Sequence, residues 1–390
     1  MQVSHLIQNL SASKTVSIQN KVFALQHSGQ SIINLAGGEP DFKTPGPIIQ
    51  AAEQAMERGF THYVSTNGIP ELREAIALKM QQENRVACDA SQIIVTAGGK
   101  PALYAALTAV LNPDDEVLIL NPAWVSYEPL VRMARGIPVT VDLDPQQQFM
   151  IDTNQLKAAC TPRTKAIIVN NPNNPTGRVL TKEEIDGLKE IAIDNDLILI
   201  SDEVYEKIVF DKHHVISLAS DPELEERTIT IQSFSKGQAM TGWRLGYAVL
   251  PKNFVTAAIK IQSHLATCTT AFIQYAGVVA VRDVAEDVER MRKQYAQRVK
   301  QMVIGLNEIS GISCTCPEGA FYLFPKINYK GYSSSQFADY LLDEVNVAVT
   351  PGEAFGEAYS NYIRLSCATS DENLRQAVAR IGQAMAVKAR

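Results

Sequence analysis

Between about residues 90 and 250, six short runs are apolar along nearly their whole length and rich in β-branched residues. They are Ile93 to Thr96, Val117 to Leu120, Ala166 to Asn170, Leu197 to Ser201, Thr228 to Gln232 and Leu245 to Leu250. A strand with one wet face alternates polar and apolar residues, so runs without alternation predict strands covered on both faces. Helical patterns separate them. One opens on Thr181-Lys182-Glu183-Glu184, a capping-box sequence preceded by Leu180 as a staple, and continues through Ile185, Leu188 and Ile191. Strands alternating with helices predict an α/β fold with a mainly parallel, doubly wound sheet. After about 285 the pattern changes to a long charged helix (284 to about 309), strand-like segments at 320–324 and 345–349, and a final helix. We read 46–285 as a large α/β domain, and 1–45 with 286–390 as a smaller α+β domain built from both chain termini.

Several of the runs are followed at once by a polar motif. Asn170-Asn171-Pro172-Asn173-Asn174-Pro175-Thr176-Gly177 follows one, Asp202-Glu203-Val204-Tyr205 the next, and Ser233-Phe234-Ser235-Lys236 the one after. The carboxyl ends of parallel strands share an edge, so these side chains are expected to converge on one crevice. A lysine desolvated there loses the proton that blocks its nucleophilicity and condenses with an aldehyde as a Schiff base. Ser233, three residues before Lys236, and Arg244, eight after it, suit a phosphate; a solvated loop lysine is the plain alternative. Gly98-Gly99-Lys100-Pro101 reads as the end of a strand and the start of a helix, with bare N–H groups at its positive end for the same phosphate. It is neither a Walker loop nor a dinucleotide fingerprint.

Asp202 is either a capping carboxylate or a buried one, and a buried one needs a cationic partner. Arg364, in Tyr362-Ile363-Arg364-Leu365-Ser366, stands inside an apolar strand with no acidic residue near in sequence. Either a distant Asp or Glu pairs with it, or a substrate α-carboxylate does.

Ser-x-x-Lys followed by Met240-Thr241-Gly242-Trp243-Arg244-x-Gly246-Tyr247 resembles the lysine segment of class I, fold-type I aminotransferases, in their bacterial aspartate aminotransferase-like branch. The resemblance extends from Gly38-Glu39-Pro40-Asp41-Phe42 to Ser366; Gly237-Gln238 depart from it, where the family has a small residue or Thr and then an aromatic. It implies pyridoxal 5'-phosphate bound covalently to Lys236, with Asp202 on the pyridinium nitrogen and Tyr205 and Asn174 on the ring hydroxyl. It further implies Trp124 on the ring face, and Ser233, Arg244 and the Gly98, Gly99 and Lys100 segment at the phosphate. Arg364 and the Gly38 backbone would meet the substrate carboxylate, with Trp124 and Asn174 also lining the substrate site. In relatives with Gly-Gly-Lys, that lysine reaches a distal carboxylate, here through Lys100. Tyr63 corresponds to a tyrosine that reaches the neighbouring subunit's phosphate, which implies a homodimer with shared sites.

The implied activity is transamination between an aspartate- or glutamate-like amino acid and a 2-oxo acid such as 2-oxoglutarate. Neutral or aromatic donors, and an elimination, cyclisation or synthase reaction, are the alternatives, because the cofactor residues would be the same.

Composition excludes other classes. Lys and Arg number 36 against 42 Asp and Glu, a net charge of -6 with no basic tract, which argues against nucleic-acid or anionic-membrane partners. The longest apolar run, Ala102 to Leu111, is far short of a membrane span, and Met1 to Leu10 has no leader-like apolar core, so a cytoplasmic protein is expected. The short segment before Gly38 leaves no room for a DNA-binding domain of a regulator. The six cysteines and six histidines show no metal-ligand spacing; Cys314-Thr315-Cys316 reads as a strand with both thiols on one face, and His213-His214 as surface loop.

Overall fold

The computed structural model describes residues 3–8, 10 and 14–386, so the expectation for Met1 to Leu10 lies partly outside the described residues. Its central sheet has seven strands: β1 (Ile93–Thr96), β2 (Glu116–Asn121), β3 (Ile137–Asp142), β4 (Thr164–Asn170), β5 (Ile198–Asp202), β6 (Thr228–Ser233) and β7 (Gly246–Val249). Their spatial order is β1-β7-β6-β5-β4-β2-β3. β7 runs antiparallel to both neighbours and every other adjacent pair is parallel.

The lack of alternation in these runs has a direct cause: successive residues feed opposite cores. Ile168 and Ile200 pack with Leu103 and Leu107 of helix Gly99–Val110 on one face. Ile167 and Leu199 pack with Ile185 and Leu188 of helix Lys182–Asp194 on the other. That helix starts as expected, with Thr181 and Glu184 forming a reciprocal capping box, an arrangement that stabilises a helix start by about 1 kcal/mol.

β3 was not expected from the sequence. It lies at the sheet edge, only Val141 of its six residues is buried, and Pro138, which lacks an N–H, is tolerated there because one side has no ladder partner.

The two ends of the chain meet in a second core. Ile33–Asn34 pairs in parallel with Val347–Ala348, and Ile363–Ser366 pairs antiparallel with both Tyr322–Leu323 and Thr350–Pro351. Ile33 and Leu35 are buried there with Tyr295 and Val299 of helix Ala285–Asn307, and with Phe321, Phe337 and Ile363. Tyr205 and Ile208, which follow β5, belong to the same cluster, so the polar motif after β5 sits where the sheet edge meets this second core.

The expected strand through Cys314 and Cys316 is corrected: the strand stops at Ile312–Ser313, Cys314 is buried and Cys316 exposed, so the thiols do not share a face. Among the described residues no helix is long and apolar enough to cross a membrane.

Candidate active site

The polar motifs converge on a cleft of about 480 Å³ at the carboxyl edge of the sheet. Gly38, Gly99, Lys100, Trp124, Asn174, Asp202, Tyr205, Ser233, Lys236, Arg244 and Arg364 all line it. Gly98 sits beside the Arg244 guanidinium. Tyr63 does not line the cleft; it is 84% exposed on the surface.

Lys236 follows β6 by three residues, in a turn that leaves the sheet. Its Nζ donates to the backbone oxygen of Gly38 and stands 5.7 and 5.9 Å from the ring centroids of Tyr205 and Phe321. Aromatic faces and a carbonyl thus surround the amine, with no carboxylate within 4 Å among the described residues.

Asp202 closes β5 and is buried. Tyr127 Oη donates to its Oδ2 at 2.6 Å and the Val204 N–H to its Oδ1 at 3.4 Å. Burial pushes the carboxyl up to about 6, against these hydrogen bonds and the charge of Lys236, which pull it down. Among the described residues no basic side chain lies within 4 Å of this buried carboxylate, which lines the cleft.

Arg364 is 3% exposed, and among the described residues no carboxylate pairs with it. Its guanidinium donates to Asn174 Oδ1 at 3.0 Å and to the Ala36 carbonyl at 2.8 Å and stacks 4.4 Å from the Tyr322 ring centroid, and its Nε has no partner among the described residues. The pairing with a distant Asp or Glu left open by the sequence is therefore absent among the described residues. Asn174 is held in turn by its N–H on Asn170 Oδ1 at 2.7 Å, and Tyr205 Oη lies 2.9 Å from Tyr322 Oη.

The end of the cleft beside Gly98 and Arg244 is tightly constrained. Gly98 caps helix Gly99–Val110 at φ 100°, and a Cβ there would lie 2.5 Å from an Arg244 nitrogen. A Cβ on Gly246 would lie 2.6 Å from the Gly98 carbonyl carbon, so two bare backbones touch where β7 meets the helix start. Ser233 Oγ donates to Ser235 Oγ at 2.9 Å. Arg244, itself at φ 52°, donates to the Thr241 carbonyl at 2.8 Å. Bare amides at a helix start, a guanidinium and two hydroxyls form an anion cradle.

Lys100 extends over the Trp124 ring, 4.9 Å from its centroid. Partial burial and the nearby Arg244 charge both hold its ammonium below the ordinary lysine range. At the departure Gly237-Gln238, a Cβ on Gly237 would lie 3.0 Å from Lys207 Cβ, and both residues border a separate cavity of about 30 Å³ under the lysine turn.

Sequence reasoning missed several lining residues. Tyr127 stands three residues after Trp124, at the start of helix Tyr127–Met133, a spacing that could have singled it out. Tyr322 reaches the cleft from the second core, and Gln19, Asn20 and Phe23 come from helix Lys14–His27, whose sequence has no pattern pointing to a site.

A model of the family described as aminotransferase class I and II matches residues 30–381. The chain is 43% identical over 371 residues to an aspartate aminotransferase of Pyrococcus abyssi, covering 94% of this chain and 95% of the relative. It is 42% identical over 371 residues to aromatic-amino-acid aminotransferase 2 of Thermococcus litoralis, with the same two shares covered. Among solved structures, the aspartate aminotransferase from Thermus thermophilus with maleate matches at a TM-score of 0.94 and 38% identity, covering 98% of this chain and 100% of that one. With a family model matching from residue 30 to 381 and relatives at about 40% identity over nearly the full length, the chain belongs to the class I and II aminotransferases, pyridoxal-phosphate enzymes that exchange an amino group between an amino acid and a 2-oxo acid.

Proposed function

We propose that the chain transaminates a dicarboxylic amino acid, aspartate or glutamate, with 2-oxoglutarate as acceptor. One observation carries the substrate reading: the Lys100 ammonium projects over Trp124 into the cleft, and among the described residues no carboxylate lies within 4 Å of it. A four-carbon stem ending in a point charge suits a second carboxylate, and a neutral substrate leaves that ammonium unpaired. The aspartate aminotransferase relatives agree with this reading, while the aromatic aminotransferase relative keeps the neutral or aromatic reading as the second one.

The residues present fit pyridoxal phosphate. In this reading Lys236 holds it covalently, Asp202 faces its ring nitrogen, Tyr205 and Asn174 its ring hydroxyl and Trp124 one ring face. Ser233, Arg244 and the Gly98 and Gly99 amides, with Lys100 alongside, take its phosphate. Bound there, the protonated ring is an electron sink for the electron pair left at the substrate's Cα.

Everything else is the work of the protein's own side chains and backbone groups. Tyr127 and the Val204 N–H keep Asp202 charged against its burial, so that it can hold a proton on its partner. Arg364, turned by Asn174 and the Ala36 carbonyl, takes the α-carboxylate in a bidentate grip and fixes the direction of the Cα–H bond. Gly38 lies over the same carboxylate. Lys236 Nζ, once released from its covalent bond, is the base that takes the Cα proton. The rings of Tyr205 and Phe321 stand beside it and shield it from water.

The division into a large domain (46–285) and a small one (1–45 with 286–390) is part of the same proposal, as is a homodimer with shared sites. The exposure of Tyr63 outside its own cleft supports the dimer. So do Ile49 and Met56, apolar and exposed on helix Gly46–Glu57. We place the enzyme in the cytoplasm, in keeping with six free cysteines.

The test is kcat/KM for aspartate, phenylalanine and alanine in wild type and Lys100→Ala. Aspartate should lose on the order of 2–4 kcal/mol of transition-state stabilisation while alanine barely changes. Equal losses for all three donors would assign Lys100 to the phosphate or the fold.

A further inference from the structure

Tyr359 belongs to none of the motifs above and does not line the cleft, yet it is fully buried in an aromatic cluster with Phe324, Phe355 and Tyr362. Its hydroxyl lies 2.7 Å from the carbonyl oxygen of Asn121, at the end of β2, and 2.9 Å from that of Leu143, just beyond β3. One phenolic proton therefore serves two carbonyls on adjacent strands. Asn121 O already accepts from the Leu143 N–H at 2.8 Å, so Leu143 O is the acceptor that depends more on the phenol.

The contacts continue in both directions. Toward the cofactor side, the Ala123 N–H, next to Trp124, donates to the Phe355 carbonyl at 3.0 Å. Toward the substrate side, the Phe355 ring centroid lies 5.1 Å from the Arg364 guanidinium, and the Tyr362 N–H donates to the Tyr359 carbonyl at 3.0 Å, two residues before Arg364. Gly356, at φ 142°, lets the segment lie this close: a Cβ there would stand 2.9 Å from the Tyr359 ring and 3.0 Å from Asn121 Nδ2. From below, Phe149 closes the joint, its ring 5.9 Å from Tyr359 and 5.7 Å from Tyr362.

We infer that Tyr359 is a positioning residue that fixes the spacing between the Trp124 wall and Arg364, and so sets how strongly the enzyme prefers a substrate bearing an α-carboxylate. The physical case is that Trp124 and Arg364 stand on segments 240 residues apart in sequence that meet through this phenol and the neighbouring Ala123–Phe355 bond. A bidentate carboxylate grip tolerates little displacement, so loosening the joint weakens the grip before it disturbs Lys236 or the Gly98, Gly99, Ser233 and Arg244 cradle, which lie on other elements. The inference rests on the reading of Arg364 as the carboxylate site.

Tyr359→Phe keeps the ring and removes the hydrogen bond. In the holoenzyme, kcat/KM for the preferred amino acid is expected to fall about tenfold, the worth of one well-placed hydrogen bond. That for the corresponding amine without the α-carboxylate should change less than twofold. By calorimetry the Kd of succinate, which binds without turnover, should rise by a similar factor, with the cofactor's visible absorption unchanged. Should Tyr359→Phe not fold, Phe149→Leu loosens the same joint from its apolar side and should lower the same ratio. Equal losses for amino acid and amine, or no change in either, would overturn the inference. Arg364→Ala separates the two layers: if it leaves the preference for the carboxylate intact, the reading of Arg364 itself is wrong. If it abolishes that preference while Tyr359→Phe leaves it untouched, only the positioning role fails.

Discussion

Tyr127 and Asp202, 75 residues apart, meet in the interior through a 2.6 Å hydrogen bond from the phenol to a carboxylate that has no basic partner within 4 Å among the described residues. The phenol favours the charged carboxylate, while burial favours the neutral one and leaves the group at about 6. Removing the phenol in Tyr127→Phe therefore raises the Asp202 pKa, and the acid limb of the kcat/KM profile should move to higher pH. Asp202→Asn removes the charge altogether: the step that removes the Cα proton should slow by at least about 100-fold, and by far more than cofactor affinity falls. Stopped-flow half-reactions beside equilibrium cofactor titration separate the two. Normal half-reaction rates in Asp202→Asn would refute its role.

Gly98→Ala tests the anion cradle. The added Cβ meets the Arg244 guanidinium at 2.5 Å, and the φ of 100° disfavours any side chain. The guanidinium must move away from the cradle, so cofactor affinity of the apoenzyme should fall by on the order of tenfold or more. Gly242→Ala is the control, because a Cβ there meets nothing within 4 Å.

Glu203 carries a pH dependence of stability. Burial first and the Glu206 charge second push its carboxyl up to about 7, against the Ser201 and Ser217 hydroxyls and Lys79. Its Oε2 has no hydrogen-bond partner among the described residues. A carboxyl raised in the folded state keeps its proton there while the unfolded chain has lost it. The resulting stabilisation is complete below about 4.5, declines as pH rises, and is gone above about 7. The stability of Glu203→Gln relative to wild type should thus rise across that window, by at most about 1.4 kcal/mol per pH unit, and level off above it. Denaturant titrations at several pH values read this directly; parallel curves would contradict it.

Subunit mixing tests the shared site. Tyr63 is 84% exposed in a single chain and does not line that chain's cleft. Combining inactive Lys236→Ala with impaired Tyr63→Phe chains should restore activity in the mixed dimers. No recovery would show that each cleft works alone.

How much of this was legible in the sequence follows from burial. Ile167 and Ile168 point to opposite cores, so their strand reads as apolar throughout; Ile137, Pro138 and Val139 of the edge strand are half exposed and give no comparable signal. Lys236, Asp202 and Asn174 were legible because each follows a buried run and the sheet topology brings the ends of such runs together. Tyr127, Tyr322 and Tyr359 were not, since a tyrosine in an apolar setting reads as core until the fold shows what its hydroxyl touches. Cys314 and Cys316 misled because two alternating residues suggest a strand, whereas the pairing with Lys326–Ile327 ends before Cys314.

The central claim is that Lys236 holds the cofactor covalently and moves the substrate proton. Borohydride reduction of the purified holoenzyme, followed by proteolysis and mass spectrometry of the labelled peptide, tests its first half most directly. The account predicts a single reduced cofactor adduct on the peptide containing Lys236, and none in Lys236→Ala, which should still bind the cofactor through Arg244, Ser233 and the Gly98 and Gly99 amides. An adduct on any other lysine, Lys100 included, or the same labelling in Lys236→Ala, would contradict it.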